Sequence, residues 1–181
     1  QKISSRREKN KVSEKNNIPK GEPDMFPKEK FAEISEKYMD TIFRIAFHYV
    51  KNQSEADDIT QEVLLKLYNT QKCFENEEHI RNWLIRVTIN CCKKVFLSPW
   101  RTHEPLETYK DRLSFSTPEH GDLFYMIMDL PRKYRVAIYL YYYEEYSTEE
   151  IAQLLHIPKA TVATHLYRGR ELLRKKINGG E

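Results

Sequence analysis

The chain has 181 residues, of which 31% are charged and 12% aromatic, and its formal net charge is +3. This length allows one or two small domains, and the aromatic content favours packed cores over a disordered chain. No segment approaches the roughly 20 consecutive apolar residues of a membrane-spanning helix, and we expect no secretory signal in the polar start. Cys73, Cys91 and Cys92 form no CxxC pair and the histidines are scattered, so we expect free thiols, with a redox role as the alternative, and neither a metal site nor a cofactor.

Charge is distributed in alternating blocks along the chain. Residues 51–80 hold three basic and seven acidic residues, whereas residues 81–101 hold five basic and no acidic ones. Residues 119–150 hold three basic and seven acidic residues, and residues 151–181 hold six basic and two acidic ones. The pattern is typical of a protein that binds an anionic polymer with some faces and a different partner with others. Solvated helix faces would give the same pattern.

The first half of the chain predicts a flexible basic tail at 1–24 followed by a helical domain at 25–97. Apolar residues recur at steps of three and four from Phe26 to about Phe96, which predicts three or four packed helices. Ser54, with Asp57 three residues later, predicts the start of the second helix. Frequent prolines and the loss of periodicity then predict an extended linker at 98–117.

A second helical domain is predicted at 118–178, beginning at Thr117-Pro118. Ser147–Glu150 has the pattern of a capping box, which predicts a short helix. His156–Pro158 predicts a tight break, and an apolar stripe predicts a longer basic helix from Lys159 to Ile177. Together these elements form a helix-turn-helix. The predicted fold class is therefore all-α, with two small helical domains joined by an extended linker, the second containing a helix-turn-helix.

The longer helix carries side chains suited to reading DNA. Opposite its apolar stripe it presents short or flexible donors and acceptors for base edges in the major groove, and cations for phosphates lie nearby. These residues are Lys159, Thr161, Thr164, His165, Arg168 and Arg170. An amphipathic surface helix with solubilising charges is the alternative.

Three segments resemble, in order, parts of the extracytoplasmic-function (ECF) sigma factors of bacterial RNA polymerase. Residues 56–68, ADDITQEVLLKLY, are similar to the acidic signature with which sigma factors bind polymerase, and residues 83–90, WLIRVTIN, to the promoter-melting helix. Residues 130–135, with 149–152 and Thr161-Val162, match the helix-turn-helix of the family. The resemblance covers about residues 26–177.

The resemblance implies a sigma factor that binds core RNA polymerase and directs promoter recognition, melting and initiation, and that is not an enzyme. The first domain is then expected to dock on the clamp helices of the polymerase β′ subunit through Asp57, Asp58, Gln61, Glu62 and Leu65. A solvated acidic face is the alternative. The second domain is expected on the β flap, with Leu130-Pro131 and Leu172-Leu173 as docking residues or simply core.

The resemblance also assigns promoter contacts. The minus-ten element is expected on Arg81, Arg86, Asn90, Lys93 and Lys94, where Asn90 helps to form a pocket for an unstacked base. Many relatives place an Asp where this chain has Lys94. The helix from Lys159 is expected to read the minus-thirty-five element. We expect Trp83 in the core rather than as a stacking platform, and the tyrosine-rich run at 139–146 to pack around the helix-turn-helix.

The expected partners are thus core polymerase, promoter DNA and an anti-sigma factor, commonly membrane-bound, with a cytoplasmic location and no small-molecule substrate. The alternative is a stand-alone helix-turn-helix regulator whose first domain senses a signal or dimerises. Such a regulator would bind its operator without polymerase. An enzyme is disfavoured because the sequence has no Gly-rich phosphate loop, nucleophile motif or metal cluster.

Overall fold

The structure, a computed structural model, describes residues 26–97 and 118–179. These residues form seven α-helices and no strand, so the predicted all-α fold class is confirmed. The helices are α1 (Lys28–Val50), α2 (Gln53–Tyr68), α3 (Glu77–Phe96), α4 (Pro118–Met128), α5 (Arg132–Tyr142), α6 (Thr148–Leu155) and α7 (Lys159–Asn178). The predicted tail and linker lie outside the described residues. None of the described helices is both long and apolar enough to cross a membrane.

Helices α1–α3, here called the first domain, bury the apolar residues whose spacing predicts them. On α1 the buried residues Ile34, Tyr38, Ile42 and Ile45 follow steps of three and four. Helix α2 buries Ala56, Ile59, Val63 and Leu67, and α3 packs Ile80, Leu84 and Ile85 against both. This spacing places one side of each helix in a shared core and leaves the other side for charged residues.

The start of α2 differs from the prediction. Its N-cap is Asn52, whose Oδ1 accepts a hydrogen bond from the Glu55 backbone N–H at 2.7 Å, and Ser54 lies within the first turn. Helix α1 ends at Lys51, which adopts a left-handed conformation with φ 58°. Only Asn52 remains between this turn and α2, so its amide is the side chain in reach of the unpaired N–H groups.

Helices α4–α7, here called the second domain, contain the predicted helix-turn-helix. The capping box is present, because Ser147 Oγ accepts from the Glu150 N–H and the Glu150 carboxylate accepts from the Ser147 N–H at 2.8 Å. The break after α6 is made by His156, which has φ 57°, and α7 begins directly after Pro158. Helix α7 ends at Asn178, one residue beyond the predicted end.

A glycine allows α7 to lie directly on α5. A Cβ atom added at Gly169 would be 3.0 Å from Ile138 Cγ1 and 3.4 Å from Tyr134 Cβ. The first of these distances is shorter than an ordinary carbon contact, and the second is at its lower limit. The position of α7, which carries the residues predicted to read DNA, therefore depends on a small residue at position 169.

The two domains pack against each other, which the sequence analysis does not predict. Helix α5 lies on α1, and α6 contacts α3. The His48 ring stacks on Tyr139 with centroids 3.9 Å apart and meets the edge of Phe124 at 5.6 Å. The Arg132 guanidinium lies over the Tyr49 ring at 5.1 Å. We call this contact the domain interface.

Arg135 is the buried charge at the centre of this interface, with 3% of its surface exposed. Its Nε donates to the His48 carbonyl at 2.5 Å, and its Nη1 donates to the carbonyls of Met128 and Leu130 at 3.0 and 2.9 Å. His48 is in the last turn of α1 and Met128 is the last residue of α4, where carbonyls have no partner within their own helix. One guanidinium thus completes the ends of two helices from different domains.

The prediction for the tyrosine-rich run is partly wrong. Tyr139 and Tyr146 are buried, but Tyr141, Tyr142 and Tyr143 are exposed. Successive helical residues are about 100° apart, and the sides of α5 that contact α1 and α7 are taken by its other residues. The last residues of α5 therefore point towards solvent.

We expect Gly169→Val to destabilise the second domain by about 1–3 kcal/mol, because the added atoms overpack the contact with Ile138. Gly169→Ala is the control, since Ile138 has to give way by only a few tenths of an ångström and alanine favours the helix by about 1 kcal/mol over glycine. Urea unfolding followed by circular dichroism measures both variants. Equal stabilities for the two would contradict the close-approach argument.

Acid should weaken the fold through His48. Complete burial lowers the pKa of His48 from 6.5 to about 3, and its Nδ1 lies 2.7 Å from the Arg44 carbonyl. Below pH 6.5 the unfolded chain takes up a proton that the folded chain does not, so stability falls by roughly 1.4 kcal/mol per pH unit down to about pH 3.

The free energy of unfolding at pH 7 and at pH 5 isolates this effect, because carboxylates remain largely ionised in that range. His48→Phe keeps an aromatic ring against Tyr139 but does not titrate. We expect the native chain to lose about 2 kcal/mol more than the variant between these two pH values. An identical loss in both proteins would contradict the assignment to His48.

Candidate functional site

The acidic residues of α2 form an exposed face with an apolar residue at its end. Asp58, Gln61 and Leu65 are exposed and Glu62 is half-buried, and steps of three and four residues place all four on one side of the helix. Leu65 has 61% of its surface exposed, whereas Leu64 is half-buried against the core. Asp57 is about 100° round the helix from Asp58 and lies beside this face.

Lys66 connects this acidic face to α3. It forms an ion pair with Glu62 one turn away, and its Nζ donates to Cys91 Sγ at 3.1 Å. The hydrogen bond from Lys66 holds the pKa of the Glu62 carboxyl below its usual range, so this carboxylate is charged at neutral pH. The sequence signal for Lys66 was its i,i+4 spacing from Glu62, which the sequence analysis did not use.

Helix α3 presents three of the five predicted minus-ten residues on one exposed face. Arg86, Asn90 and Lys94 are four residues apart and exposed. Lys93 lies beside this face, but its Nζ donates to the Leu155 carbonyl of the second domain at 3.2 Å, and burial lowers its pKa. Arg81 lies on the opposite side of the helix. The face therefore combines two exposed cations with one amide.

Arg81 is held by the turn between α5 and α6. Its Nη2 donates to the Glu144 carbonyl at 2.7 Å and to the Glu144 carboxylate at 3.1 Å, and its guanidinium lies 4.8 Å from the centre of the Tyr146 ring. The Tyr146 hydroxyl donates to Asn82 Oδ1 at 2.7 Å. The sequence analysis missed Asn82 and Glu144, because residues more than 60 positions apart give no local signal.

Trp83 packs within the first domain, as predicted, but is only half-buried. Its ring meets Phe74 edge-on with centroids 5.6 Å apart, and Phe74 in turn contacts Phe26. The tryptophan thus closes one side of the core beside the exposed face of α3.

On α7, four of the six predicted DNA-reading residues come together. Thr161, Thr164, His165 and Arg168 line a shallow depression of about 260 Å³. Lys133 and Tyr134 of α5 complete it, and the sequence analysis missed both as site residues. A hydrogen bond from Arg168 lowers the pKa of the Tyr134 hydroxyl. The depression therefore offers hydroxyls, an imidazole and two cations at one surface.

His165 is the least satisfied polar group in this depression. Its ring meets Tyr134 edge-on at 5.6 Å, and its Nδ1 is buried with no hydrogen-bond partner in the described residues. Burial, with Lys133 and Arg168 nearby, lowers the pKa of His165. A neutral imidazole with one donor and one acceptor nitrogen suits recognition of a base edge.

Lys159 and Arg170 do not share this depression. Lys159 forms an ion pair with Glu149 of α6 at the start of α7. Arg170 is on the other side of the helix, where its Nη1 lies 3.4 Å from the Tyr142 hydroxyl. Both remain exposed, and Lys159 can contact a phosphate beside the depression, but neither residue is placed to read the same base.

A second concave surface of the same domain is apolar. A groove of about 480 Å³ between α4, α5 and α7 is lined by Leu123, Ile127, Ile138, Leu173 and Ile177, with Arg170 and Arg174 at its rim. Of the residues predicted as docking residues or core, Leu130 is buried in the core and Leu173 lines this groove. An amphipathic segment with acidic flanks would match its apolar floor and basic rim.

Comparison with known proteins supplies two family matches. The family model of Sigma-70 region 2 matches residues 34–102, and that of Sigma-70 region 4 matches residues 120–173. The chain is 30% identical to the ECF RNA polymerase sigma factor SigW of Bacillus subtilis, over 88% of this chain and 92% of that protein. It is 32% identical to the RNA polymerase sigma factor SigV of the same organism, over 75% and 83%.

Two solved structures share the fold. CnrH, solved in complex with the cytosolic domain of CnrY, superposes with a TM-score of 0.62 at 16% identity, covering 86% of this chain and 92% of that chain. The sigma factor RpoE of Bartonella quintana, solved with the anti-sigma factor NepR, gives a TM-score of 0.58 at 17% identity, covering 84% and 99%. At these identities the likeness concerns the arrangement of helices.

Proposed function

Because the chain belongs to the ECF sigma factors of bacterial RNA polymerase, we propose that each of three exposed faces, on α2, α3 and α7, binds a different partner during promoter recognition. The protein is an RNA polymerase sigma factor, and the stand-alone regulator is not favoured, since the matches to region 2 and region 4 occur together in one chain. The observation that supports the assignment of individual residues is the order, along the chain, of the acidic face of α2, the exposed face of α3 and the helix-turn-helix. We retain the predicted domain bounds, 25–97 and 118–178, as part of it.

The acidic face of α2 is proposed to dock on core polymerase. Asp58, Gln61 and Glu62 present carboxylate and amide oxygens on one side of the helix, and Leu65 adds an exposed apolar side chain to the same side. A basic coiled coil such as the β′ clamp helices would complement this combination in charge and in apolar contact. Asp57 would contact the edge of that partner.

The exposed face of α3 is proposed to bind the minus-ten element as a melted strand. Arg86 and Lys94 supply cations for the backbone, and Asn90 between them can pair with the polar edge of an unstacked base. The charge of Lys94 would strengthen the contact with phosphate and make it more salt-dependent.

The depression on α7 is proposed to read the minus-thirty-five element in the major groove. Thr161, Thr164, His165 and Arg168 face a base edge, and Lys159 contacts a flanking phosphate. Arg170, predicted as a DNA contact, lines the apolar groove on the other side of α7 instead. The apolar groove between α4, α5 and α7 is proposed to receive the β flap, whose docking would leave the depression open on another side of the domain.

An anti-sigma factor is proposed as the inhibiting partner, because the structurally similar RpoE and CnrH were solved with NepR and with the cytosolic domain of CnrY. We further propose a cytoplasmic location, where polymerase and promoters are found. A membrane-bound anti-sigma factor would hold the protein at the membrane until release. No catalytic step is proposed, since each of the three faces acts by binding.

Reconstitution with core polymerase tests the proposed function. Transcripts sequenced after overexpression identify the promoters, and purified protein with core polymerase should then give transcripts from those promoters in vitro. A protein that neither co-purifies with core polymerase nor yields promoter-dependent transcripts would contradict the proposal. Operator binding in the absence of polymerase would favour the stand-alone regulator.

We expect Asp58→Lys to weaken binding to core polymerase by about tenfold or more, because it places a cation against a basic partner. Asp58 is exposed, so the fold should remain intact. Glu75→Lys makes the same charge change at an exposed loop position outside the face and is the matched control. A pull-down titration measures both, and equal affinities would exclude Asp58 from the docking surface.

Arg168→Ala should cost about 1–3 kcal/mol of promoter binding if the guanidinium reads a base, and the loss should map to the minus-thirty-five region in a footprint of the holoenzyme. Arg86→Ala removes an exposed cation from the other domain and should alter the minus-ten region instead. A footprint unchanged upstream in Arg168→Ala would refute its assigned role.

A further inference from the structure

One residue of α5 contacts three of the side chains that line the depression on α7. The ring of Tyr134 is 8% exposed and meets the His165 ring edge-on with centroids 5.6 Å apart. The Arg168 side chain donates a hydrogen bond to the Tyr134 hydroxyl, and Lys133 Nζ lies 5.1 Å from the centre of the Tyr134 ring. The Cβ atom of Tyr134 lies beside Gly169, where α7 approaches α5. Tyr134 therefore connects α5 to the surface that is proposed to read the minus-thirty-five element.

The hydroxyl of Tyr134 gives the exposed Arg168 side chain a defined direction. A long exposed side chain samples many rotamers unless a hydrogen bond selects one of them. The buried ring of Tyr134 is held between α5 and α7, so its hydroxyl is an acceptor in a fixed position. A guanidinium has several N–H donors, and one bond to Tyr134 leaves the others free to reach a base. The contact therefore restrains Arg168 without using up its capacity to donate.

The charge of the depression favours a guanine as the base that Arg168 reads. Lys133 lies beside the same hydroxyl, and none of the described residues that line the depression is acidic. Guanine presents the acceptors O6 and N7 at its major-groove edge, whereas the edge of adenine includes an amino donor. A guanidinium fork matches a pair of acceptors, and a second cation nearby attracts the same electron-rich edge. Thr164 does not compete as a donor, because its hydroxyl donates to the Ala160 carbonyl at 2.9 Å.

We propose that Tyr134 is a positioning residue for promoter recognition, whose hydroxyl holds the Arg168 guanidinium in the direction that selects a guanine in the minus-thirty-five element. The selectivity of α7 is then set in part by α5, through a residue that acts on the base by way of Arg168. The inference rests on the proposed function, because it takes the depression as the surface that reads this element. A restrained side chain binds its target more tightly than a mobile one, since it loses less conformational freedom on binding.

Tyr134→Phe tests this role, because it removes the hydroxyl and keeps the ring that packs against His165 and Gly169. Tyr141→Phe is the matched control, since Tyr141 lies on the same helix but outside the depression. The measurement is competition binding of the holoenzyme to a mapped promoter and to variants in which each base pair of the minus-thirty-five element is replaced in turn. Arg168→Ala identifies the pair that Arg168 reads, because replacing that pair should no longer weaken binding by this variant.

We expect the pair identified in this way to be guanine–cytosine, and we expect Tyr134→Phe to lower the discrimination against its replacement by about fivefold. Discrimination at the other pairs should stay as in the native protein, because the ring that packs against α7 is unchanged. In the Arg168→Ala background Tyr134→Phe should cause no further loss, since both substitutions remove the same interaction. Tyr141→Phe should match the native protein at every pair.

Native discrimination at every pair in Tyr134→Phe, or in Arg168→Ala, would overturn the proposal. An equal loss at all pairs would also overturn it, because the hydroxyl would then serve only to place α7. A further loss in the double variant would exclude Arg168 as the residue through which Tyr134 acts, and a pair other than guanine–cytosine would refute the choice of base. A native protein that gives no transcripts with core polymerase would instead contradict the proposed function.

Discussion

The packing of the two domains against each other depends on the hydrogen bonds that the buried Arg135 guanidinium donates to backbone carbonyls. A buried charge destabilises a fold unless hydrogen bonds replace its lost water, and the carbonyls at the ends of two helices provide them here. Those carbonyls would otherwise lack partners inside the protein. Since a cation is favoured at the C-terminal end of a helix dipole, α1 and α4 both converge on this residue. The position of α5, which carries Arg135, is thereby defined relative to both domains.

Around this centre the two domains are matched by polar and aromatic contacts, in addition to buried apolar residues that form one cluster across both domains. Burial keeps His48 neutral between Phe124 and Tyr139 by lowering its pKa, and Glu144 pairs with Arg81 across the same interface. Polar interfaces within a chain resemble transient protein–protein contacts and can be separated. Such an interface suits a factor that has to contact two distant promoter elements with one chain.

The sequence was sufficient to predict features that depend on local periodicity and capping. The helix-turn-helix followed from the capping box at Ser147–Glu150 and the break at His156–Pro158, and the acidic face of α2 followed from steps of three and four residues. The N-cap of α2 was misplaced because Asn52 acts as a cap only once Lys51 has turned the chain out of α1.

Features that join distant parts of the chain had no sequence signal. Nothing near Arg81 indicates that its carboxylate partner is Glu144, and the pairing of Tyr146 with Asn82 depends on the packing of α6 against α3. The separation of Arg81 from the other residues predicted to bind the minus-ten element had no sequence signal for the same reason. Arg81 and Lys93 read as DNA-binding cations by composition, and only the fold places a second domain against them.

The close approach at Gly169 has a mechanical consequence. It holds α7 on the side of α5 formed by Tyr134 and Ile138, while the neighbouring side of α5 carries Arg135 and Tyr139 against α1. Helix α5 has 11 residues and is about 16 Å long, too short to bend appreciably between these two contacts. If α7 binds DNA as proposed, a duplex that tilts α7 would therefore tilt α5 with it and shift the stacked rings at His48. Strain from DNA binding by the second domain would then reach the domain interface through one helix.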